Sequence, residues 1–273
     1  MSERAHARGK MEQRERGRTR PVVQREFDST LGYPGEGPEH KEGGAWVAVN
    51  VAGVHVSVSR EARDVEVGEA GSALIHDYTD KLWELVQVFR GSNAAVMVLA
   101  DTHAQAEEAE VIKSMLVEQG IEVTYTPAII TETGHTTAGV MIWTNPSVLE
   151  VRNQTEIIGG RILRIGVEDI ATEEEWAVYG VYMPVRGAHD TAQDVEEAWS
   201  ALRKQVHEET VVRTAVGGDL NAETHEWRQE RNARRTPSDA HLDEMMEESE
   251  LTALAEGSTH RSGTQIDNWL MTP

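Results

Sequence analysis

Cysteine is absent from the 273 residues, which excludes disulfide bonds and thiolate chemistry within this sequence. No segment has the unbroken apolar length that a transmembrane helix requires. The Arg-rich N-terminus also lacks the apolar stretch of a signal peptide. These absences predict an intracellular protein, nuclear or cytoplasmic, that is not secreted. The apolar fraction of 39% is enough to build the core of one large α/β domain or two small ones.

Positive charge is scarce outside the N-terminus, and the net charge of the whole chain is −21. Residues 1–25 hold eight basic residues against three acidic ones, so the remainder is even more acidic than the total suggests. A strongly acidic body repels nucleic acid at long range, and this counts against a DNA-binding function. Bound cations and local geometry can reverse the field inside a cleft, so the charge alone does not decide.

The chain divides into a tail and a domain. Residues 1–44 are polar, punctuated by glycine and proline, and without hydrophobic periodicity, so we expect a disordered basic tail. That tail is either a solvated leader or a basic arm that contacts nucleic acid. Hydrophobic patterns begin at residue 45, and we expect one domain over residues 45–273.

Short apolar runs and amphipathic stretches alternate irregularly along this domain. The runs predict strands at 46–51, 94–100, 121–125, 138–143, 161–167, 176–182, 211–216 and 266–271. Apolar residues at helical spacing predict helices at 74–89, 105–119 and 191–207, and a further helix that Ser238 caps. Several neighbouring strands look like hairpins, so the pattern indicates an α/β protein with mixed rather than purely parallel sheets.

Polar motifs stand at the ends of four predicted strands. They are Asp-Thr-His at residues 101–103, Tyr-Met-Pro at 182–184, Gly-Asp-Leu-Asn at 218–221 and Gln-Ile-Asp at 265–267. Polar side chains at the ends of several strands are how an α/β scaffold builds a catalytic cleft. The spacing therefore predicts that groups distant along the chain meet at one site.

In this order the motifs resemble those of the endonuclease/exonuclease/phosphatase family, also called DNase I-like. The Asn-Val-Ala-Gly segment at 50–53 is similar to the family's first motif, except that Ala52 replaces a polar residue. At Asp101 the family usually has glutamate, and sequences of the non-LTR retrotransposon endonuclease domains look most similar here. The resemblance covers residues 45–273 and implies a four-layer α/β sandwich, with two mixed β-sheets flanked by helices.

The resemblance also implies a divalent-metal-dependent phosphodiesterase that acts on DNA. Hydrolysis of a phosphodiester brings water to an anion, and a hard cation with oxygen ligands stabilises the charge that develops. The metal, Mg²⁺ or alternatively Mn²⁺, would be held by Asn50 and Asp101. Asp219 would orient or deprotonate the attacking water, while Tyr182 and Asn221 would donate hydrogen bonds to the phosphate.

In the family, the aspartate equivalent to Asp267 orients a histidine from a later Ser-Asp-His motif. The sequence contains no such motif after Asp267, so we expect a domain that is incomplete at its C-terminus, either a gene fragment or a decayed enzyme. Loss of a general acid or base typically lowers a rate by about 10²–10⁴-fold. We therefore expect impaired activity.

Each candidate residue also has a purely structural interpretation, such as a helix cap for Asp101 or a turn residue for Asp219. His103 is expected to be a solvent-exposed histidine. The arginines that follow the Gly-Asp-Leu-Asn motif either contact DNA phosphates or belong to an ordinary solvated loop; they are Arg228, Arg231, Arg234 and Arg235. Two other functions stay open: a phosphatase acting on a phosphorylated small molecule or lipid headgroup, and an inactive fragment or binding relic of the same fold.

Overall fold

A computed structural model describes residues 34–39, 45–50, 82–131, 134–187, 190–209, 213–254 and 267–272. For the two strands before residue 51, and for Arg231, Asp267 and Asn268, it describes the backbone alone. No helix within these ranges combines the length and the apolar character that crossing a membrane demands.

Thirteen strands and five helices lie within the described ranges. The strands are β1 (Pro34–Glu39), β2 (Ala45–Asn50), β3 (Ala94–Ala100), β4 (Glu122–Thr126), β5 (Ile129–Ile130), β6 (Thr136–Thr137), β7 (Val140–Thr144), β8 (Leu149–Ile158), β9 (Ile162–Asp169), β10 (Glu175–Tyr182), β11 (Arg213–Asp219), β12 (Thr252–Ala253) and β13 (Asp267–Met271). The helices are α1 (82–91), α2 (Ala106–Glu118), α3 (Ala192–Glu208), α4 (His225–Arg231) and α5 (Pro237–Glu248).

Two mixed sheets form the centre of the molecule. The first has the strand order β1-β2-β3-β7-β4 and the second has the order β12-β13-β11-β10-β9-β8. In each sheet one neighbouring pair is parallel, β2 with β3 and β10 with β11, and the other pairs are antiparallel. The short strands β5 and β6 form a separate hairpin between β4 and β7.

The two sheets pack face to face, and helices cover their outer faces. Strand β2 contacts β11 and β13, while β3 contacts β10 and β11, so the inner faces share one apolar core. Helices α1 and α2 pack on the outside of the first sheet, and α3 and α5 on the outside of the second. This arrangement confirms the predicted four-layer α/β sandwich.

Helix ends follow the expected local chemistry, with one correction. Helix α2 ends before Gly120, which has a φ of +73°, a conformation that glycine adopts without steric cost. Helix α5 begins two residues earlier than predicted: Thr236 caps it, accepting a hydrogen bond from the Asp239 N–H, and Pro237 occupies its first turn. The predicted Ser238 cap is therefore wrong.

Five strands escaped prediction: the two-residue strands β5, β6 and β12, and the longer strands β8 and β1, which carry no apolar pattern. Strand β8 lies at the edge of the second sheet, and most of its side chains are polar and exposed. Strand β1 pairs with β2 through the main chain, which needs no apolar side chains. The predicted disorder of residues 1–44 is wrong for Pro34–Glu39; residues 1–33 and 40–44, and the first half of the predicted helix 74–89, lie outside the described residues.

Gly217 is fixed by the packing between the sheets, which gives a first testable prediction. A Cβ at this position would lie 2.7 Å from the ring of Trp269, a fully buried side chain in the shared core. Overpacking of this kind costs about 1–3 kcal/mol, so we expect Gly217→Ala to lower the free energy of unfolding by that amount in urea titrations. The control is Gly187→Ala, where the new Cβ meets only ordinary contact. Equal stability of the two variants would contradict the packing argument.

Candidate active site

Main-chain hydrogen bonds join the two sheets at one end of the sandwich. The N–H groups of Thr102 and His103, just after β3, donate to the carbonyls of Gly139 and Ala138 at 3.0 and 2.8 Å. The Gly139 N–H in turn donates to the carbonyl of Gly160, in the turn between β8 and β9, at 2.8 Å. Only glycine fits at residue 139, because its φ is +96° and a Cβ would lie 2.5 Å from the Thr102 hydroxyl. The end of β3 is thus held beside the start of β9.

The second sheet continues this row of strand ends. The Tyr182 N–H donates to the carbonyl of Arg161, and the Met183 N–H donates to the carbonyl of Asp219, both at 2.8 Å. Tyr182 and Asp219 are direct partners in the register of β10 and β11. Residues that are paired in register project from the same face of a sheet. Arg161, Tyr182 and Asp219 therefore stand next to one another on three adjacent strands.

Tyr182 is the point where the two sheets' polar groups converge. Burial raises the pKa of its hydroxyl, and the negative charges of Asp101 and Asp219 raise it further, as does a hydrogen bond that the hydroxyl makes to Asp101. Asp101 follows β3 of the first sheet, whereas Asp219 ends β11 of the second. Two of the predicted carboxylates thus raise the pKa of one hydroxyl group, which lies where the sequence predicts a shared site.

A tight turn fixes the Asp219 carboxylate, whose residue is 3% exposed. The Asn221 N–H donates to the Asp219 Oδ1 at 2.9 Å, which closes an Asx turn, and Asn221 itself has a φ of +48°. The Asn221 Nδ2 donates to the Met183 carbonyl at 2.7 Å, which ties the loop to the end of β10. Asp219 is therefore a turn residue, and it is also placed beside Tyr182.

His103 is paired with Asp101, and the expectation that it is solvent-exposed is wrong. Its Nε2 lies 2.9 Å from the Asp101 Oδ1, and its side chain is 19% exposed. The hydrogen bond to Asp101 raises the pKa of His103, burial lowers it, and the net shift is upward. Asp101 and His103 have left-handed φ values of +57° and +55°. Strained backbone of this kind in non-glycine residues is concentrated at functional sites.

Arg161 joins the site from the residue before β9, and no role was predicted for it. The residue is 7% exposed, and its guanidinium lies 5.7 Å from the centre of the Tyr182 ring. Its NH2 is 2.5 Å from the Asp190 Oδ1. The one available signal was a basic residue beside the glycine of the β8–β9 turn, which alone does not indicate a site.

Asn50 and Asp267 have their backbones at the same end of the sandwich. Asn50 is the register partner of Ala100, directly before Asp101, and Asp267 is the register partner of Asp219. Their side chains lie outside the described residues, so their predicted roles stay predictions. Within the described ranges, no group of three or more His, Asp or Glu side chains is arranged to hold a metal ion.

Two of the four arginines in the basic run after Asn221 are paired with carboxylates. Arg228 NH1 lies 3.1 Å from the Glu223 Oε2, and Arg235 NH2 lies 2.7 Å from the Asp243 Oδ2. Arg234 is exposed. Because two of the four arginines already bind carboxylates, this arrangement favours the interpretation as an ordinary loop over a surface that grips phosphates.

No family model matches the sequence, and no curated protein matches it either. Solved structures do match. An AP endonuclease from Leishmania major has a TM-score of 0.56 and 14% identity, covering 92% of this chain and 84% of its own. The fold is that of the endonuclease/exonuclease/phosphatase proteins.

Two further solved structures of this fold are phosphatases with different ligands or substrates. The 3′ phosphatase NExo from Neisseria, bound to a product DNA hairpin, has a TM-score of 0.53 and 15% identity, covering 71% of this chain and 83% of its own. A mannosyl-6-phosphatase from Bacteroides thetaiotaomicron has a TM-score of 0.51 and 10% identity, covering 76% and 81%. At these identities the likeness concerns the fold, which hosts nucleases and phosphatases alike.

Proposed function

We propose that this chain is a divalent-metal-dependent phosphodiesterase that hydrolyses DNA, of the retrotransposon endonuclease type. The observation that carries the proposal is the convergence of Asp101 and Asp219, from different sheets, on the Tyr182 hydroxyl. Perturbed titratable groups gathered at strand ends are candidates for a functional site. A general phosphoesterase function also agrees with the nucleases and phosphatases that share the fold.

The described side chains have distinct roles in this proposal. Asp219 accepts a proton from the attacking water or orients that water. Tyr182 is protonated at neutral pH, and its single O–H proton would turn from Asp101 to a phosphate oxygen when the substrate binds. An asparagine amide has two N–H donors; Asn221 uses one on the Met183 carbonyl, and the other is assigned to the phosphate.

The donor set suits a hard cation such as Mg²⁺ or Mn²⁺. The described oxygen donors are the carboxylates of Asp101 and Asp219, and carboxylate oxygen is what Mg²⁺ prefers. Asp101 would hold the ion together with Asn50, whose backbone lies on the neighbouring strand. When bound, the ion would neutralise the charge that develops on the phosphate and its leaving oxygen.

Phosphatase activity on a small phosphorylated molecule is the second candidate. It is favoured by the net charge of −21, which slows the approach of DNA, and by the mannosyl-6-phosphatase of the same fold. An inositol phosphate or mannose 6-phosphate would then be hydrolysed in preference to DNA.

We expect slow hydrolysis by these 273 residues. They contain no Ser-Asp-His motif after Asp267, and loss of that histidine costs about 10²–10⁴ in rate. Incubation with supercoiled plasmid and Mg²⁺ or Mn²⁺ should therefore give weak nicking that EDTA stops. Release of inorganic phosphate from inositol phosphates, with the plasmid intact, would support the second candidate. Hydrolysis of neither substrate would support the third possibility, an inactive fragment or binding relic of the same fold.

Metal binding can be tested without activity. A ligand that binds only the folded state stabilises it by about 1.4 kcal/mol when it is present at ten times its Kd. We expect millimolar Mg²⁺ to raise the melting temperature of the chain, and Asp101→Asn to remove most of that rise. The matched control is Asp169→Asn, which changes a buried aspartate in the turn at the far end of β9. A melting temperature indifferent to Mg²⁺ and Mn²⁺ would contradict the metal site.

A further inference from the structure

The Arg161–Asp190 pair is a charged group inside the candidate site that the proposed roles leave unused. The two side chains are 9% and 16% exposed, and the guanidinium lies against the ring of Tyr182. Burying a guanidinium is costly unless its donors are satisfied. Asp190 satisfies one nitrogen, NH2, at 2.5 Å.

The second terminal nitrogen of Arg161 has no acceptor among the described side chains and carbonyls. NH1 is buried from solvent and makes no hydrogen bond there. A buried donor without a partner costs about 1–3 kcal/mol. An unpaired donor beside the candidate site residues Asp101, Tyr182 and Asp219 therefore calls for a functional explanation. A planar guanidinium presents its donors in a fixed fork, a geometry that matches two oxygens of a phosphate or carboxylate.

Asp190 is held firmly enough to orient its partner. It forms an isolated bridge with Arg186, and its carbonyl accepts a hydrogen bond from the Gly187 N–H at 3.0 Å. The next residue, Thr191, is the cap of helix α3 and is fixed by the reciprocal bonds of a capping box. The carboxylate therefore projects from a segment that is anchored on both sides.

We propose that Arg161 binds a phosphate oxygen of the substrate through its guanidinium, and that Asp190 is the positioning residue that holds the guanidinium beside Tyr182. This inference rests on the proposed phosphoesterase function and adds an anion-binding group to it. In a site dominated by Asp101 and Asp219, one fixed cation lets an anionic substrate approach. Both side chains keep a little exposed surface, but the NH1 atom itself is buried, so phosphate binding requires a small local opening.

A phosphate-binding measurement distinguishes a positioning role of Asp190 from a purely electrostatic one. The two roles predict opposite changes in phosphate affinity for Asp190→Asn. Removing a negative charge next to the guanidinium should tighten phosphate binding if only net charge matters. If Asp190 positions Arg161, the same variant should bind phosphate more weakly. The probe is inorganic phosphate, titrated by calorimetry into the full chain, and the melting temperature of each variant checks that it is folded.

Three variants make the comparison. We expect Arg161→Lys, which keeps the charge but loses the fork, to weaken phosphate binding about tenfold, the equivalent of one charge-assisted hydrogen bond. Asp190→Asn should weaken it by a similar factor. The control is Glu209→Gln, which removes one charge from another partly buried pair, with Arg164 on the same strand, where the side chains are equally exposed at 17%. Its phosphate affinity should stay within twofold of the original.

Each outcome decides a different point. Unchanged or tighter phosphate binding by Asp190→Asn, or no phosphate binding by the unaltered chain, overturns the inference. Phosphate binding that follows the expected pattern without hydrolysis of plasmid or inositol phosphates supports the inference and overturns the proposed function. Plasmid nicking with the same KM and kcat in Arg161→Lys as in the unaltered chain supports the function and overturns the inference.

Discussion

Asp239→Asn is expected to lower the free energy of unfolding by about 3–5 kcal/mol, the usual cost of breaking a buried ion pair by removing one partner. Asp239 is fully buried and contacts Arg228 twice, through Nε and through NH2, the latter at 2.7 Å. It also accepts a hydrogen bond from the Glu223 N–H at 2.9 Å. The variant would leave the Arg228 guanidinium buried with half of its charge compensation gone.

The same carboxylate predicts how stability depends on pH. Burial alone would raise the pKa of Asp239, but the bonds from Arg228, Glu223 and Thr236 outweigh it, and the net shift is downward. A group whose folded pKa is depressed contributes stability above its unfolded pKa, near 4, and loses it as the pH falls through the lower folded value. The stability difference between the original chain and Asp239→Asn should therefore be full at pH 7 and shrink below about pH 4.

Urea unfolding at pH 7 and pH 3 measures both effects. The matched control on the same helix is Glu244→Gln, which breaks an exposed pair with Arg203 and should cost about 0–1 kcal/mol. If Asp239→Asn and Glu244→Gln lose the same stability, the buried network does not hold the loop after β11. If the stability difference between the original chain and Asp239→Asn is the same at pH 7 and pH 3, the charge of Asp239 does not stabilise the fold.

Asp219→Asn is expected to reduce phosphodiester hydrolysis by about 10²–10⁴-fold while the chain stays folded. The amide oxygen of asparagine can still accept the hydrogen bond from the Asn221 N–H, so the Asx turn survives. What is lost is the negative charge that would orient or deprotonate water. Because the charge of Asp219 also raises the pKa of Tyr182, that pKa should fall in the variant, which NMR titration of the tyrosine can follow.

The control for Asp219→Asn is a similar turn at the other end of the sandwich. Asp169 is 2% exposed and accepts hydrogen bonds from the N–H groups of Ala171 and Thr172 at 2.8 and 2.9 Å. Asp169→Asn should keep both the hydrolysis rate and the pKa of Tyr182. If Asp219→Asn hydrolyses DNA as fast as the original chain, Asp219 has no role in activating water.

Asp101, Tyr182 and Asp219 could be placed at strand ends from the sequence because each follows or ends a short apolar run, a pattern consistent with a buried strand. Arg161 was not predicted. Strand β9 is antiparallel to β10, so the start of β9 lies at the same end of the sheet as Tyr182, where β10 ends. The predicted hairpins already imply these directions, but no polar motif marks Arg161, and one basic residue before a strand does not indicate a site.

His103 was assigned wrongly because the Asp-Thr-His spacing alone does not show that the histidine ring turns back onto Asp101. The Ala138 carbonyl fixes its backbone, and the Asp101 carboxylate fixes its ring. Strand β8 was missed because polar exposed side chains carry no period, although main-chain pairing with β9 suffices to form it. In both cases main-chain hydrogen bonds contribute to the outcome, and these leave no trace in the pattern of side chains.

The peptide groups of Thr102, Gly139 and Gly160, which tie the two sheets together, have a bearing on how this architecture diversifies. None of these bonds uses the side chains proposed to handle substrate. Exchanges at Asp101, Arg161 or Tyr182 can therefore alter reactivity while the frame persists. An ancestral hydrolase built this way could move between nucleic acids and sugar phosphates by a few point changes, without first evolving a new scaffold.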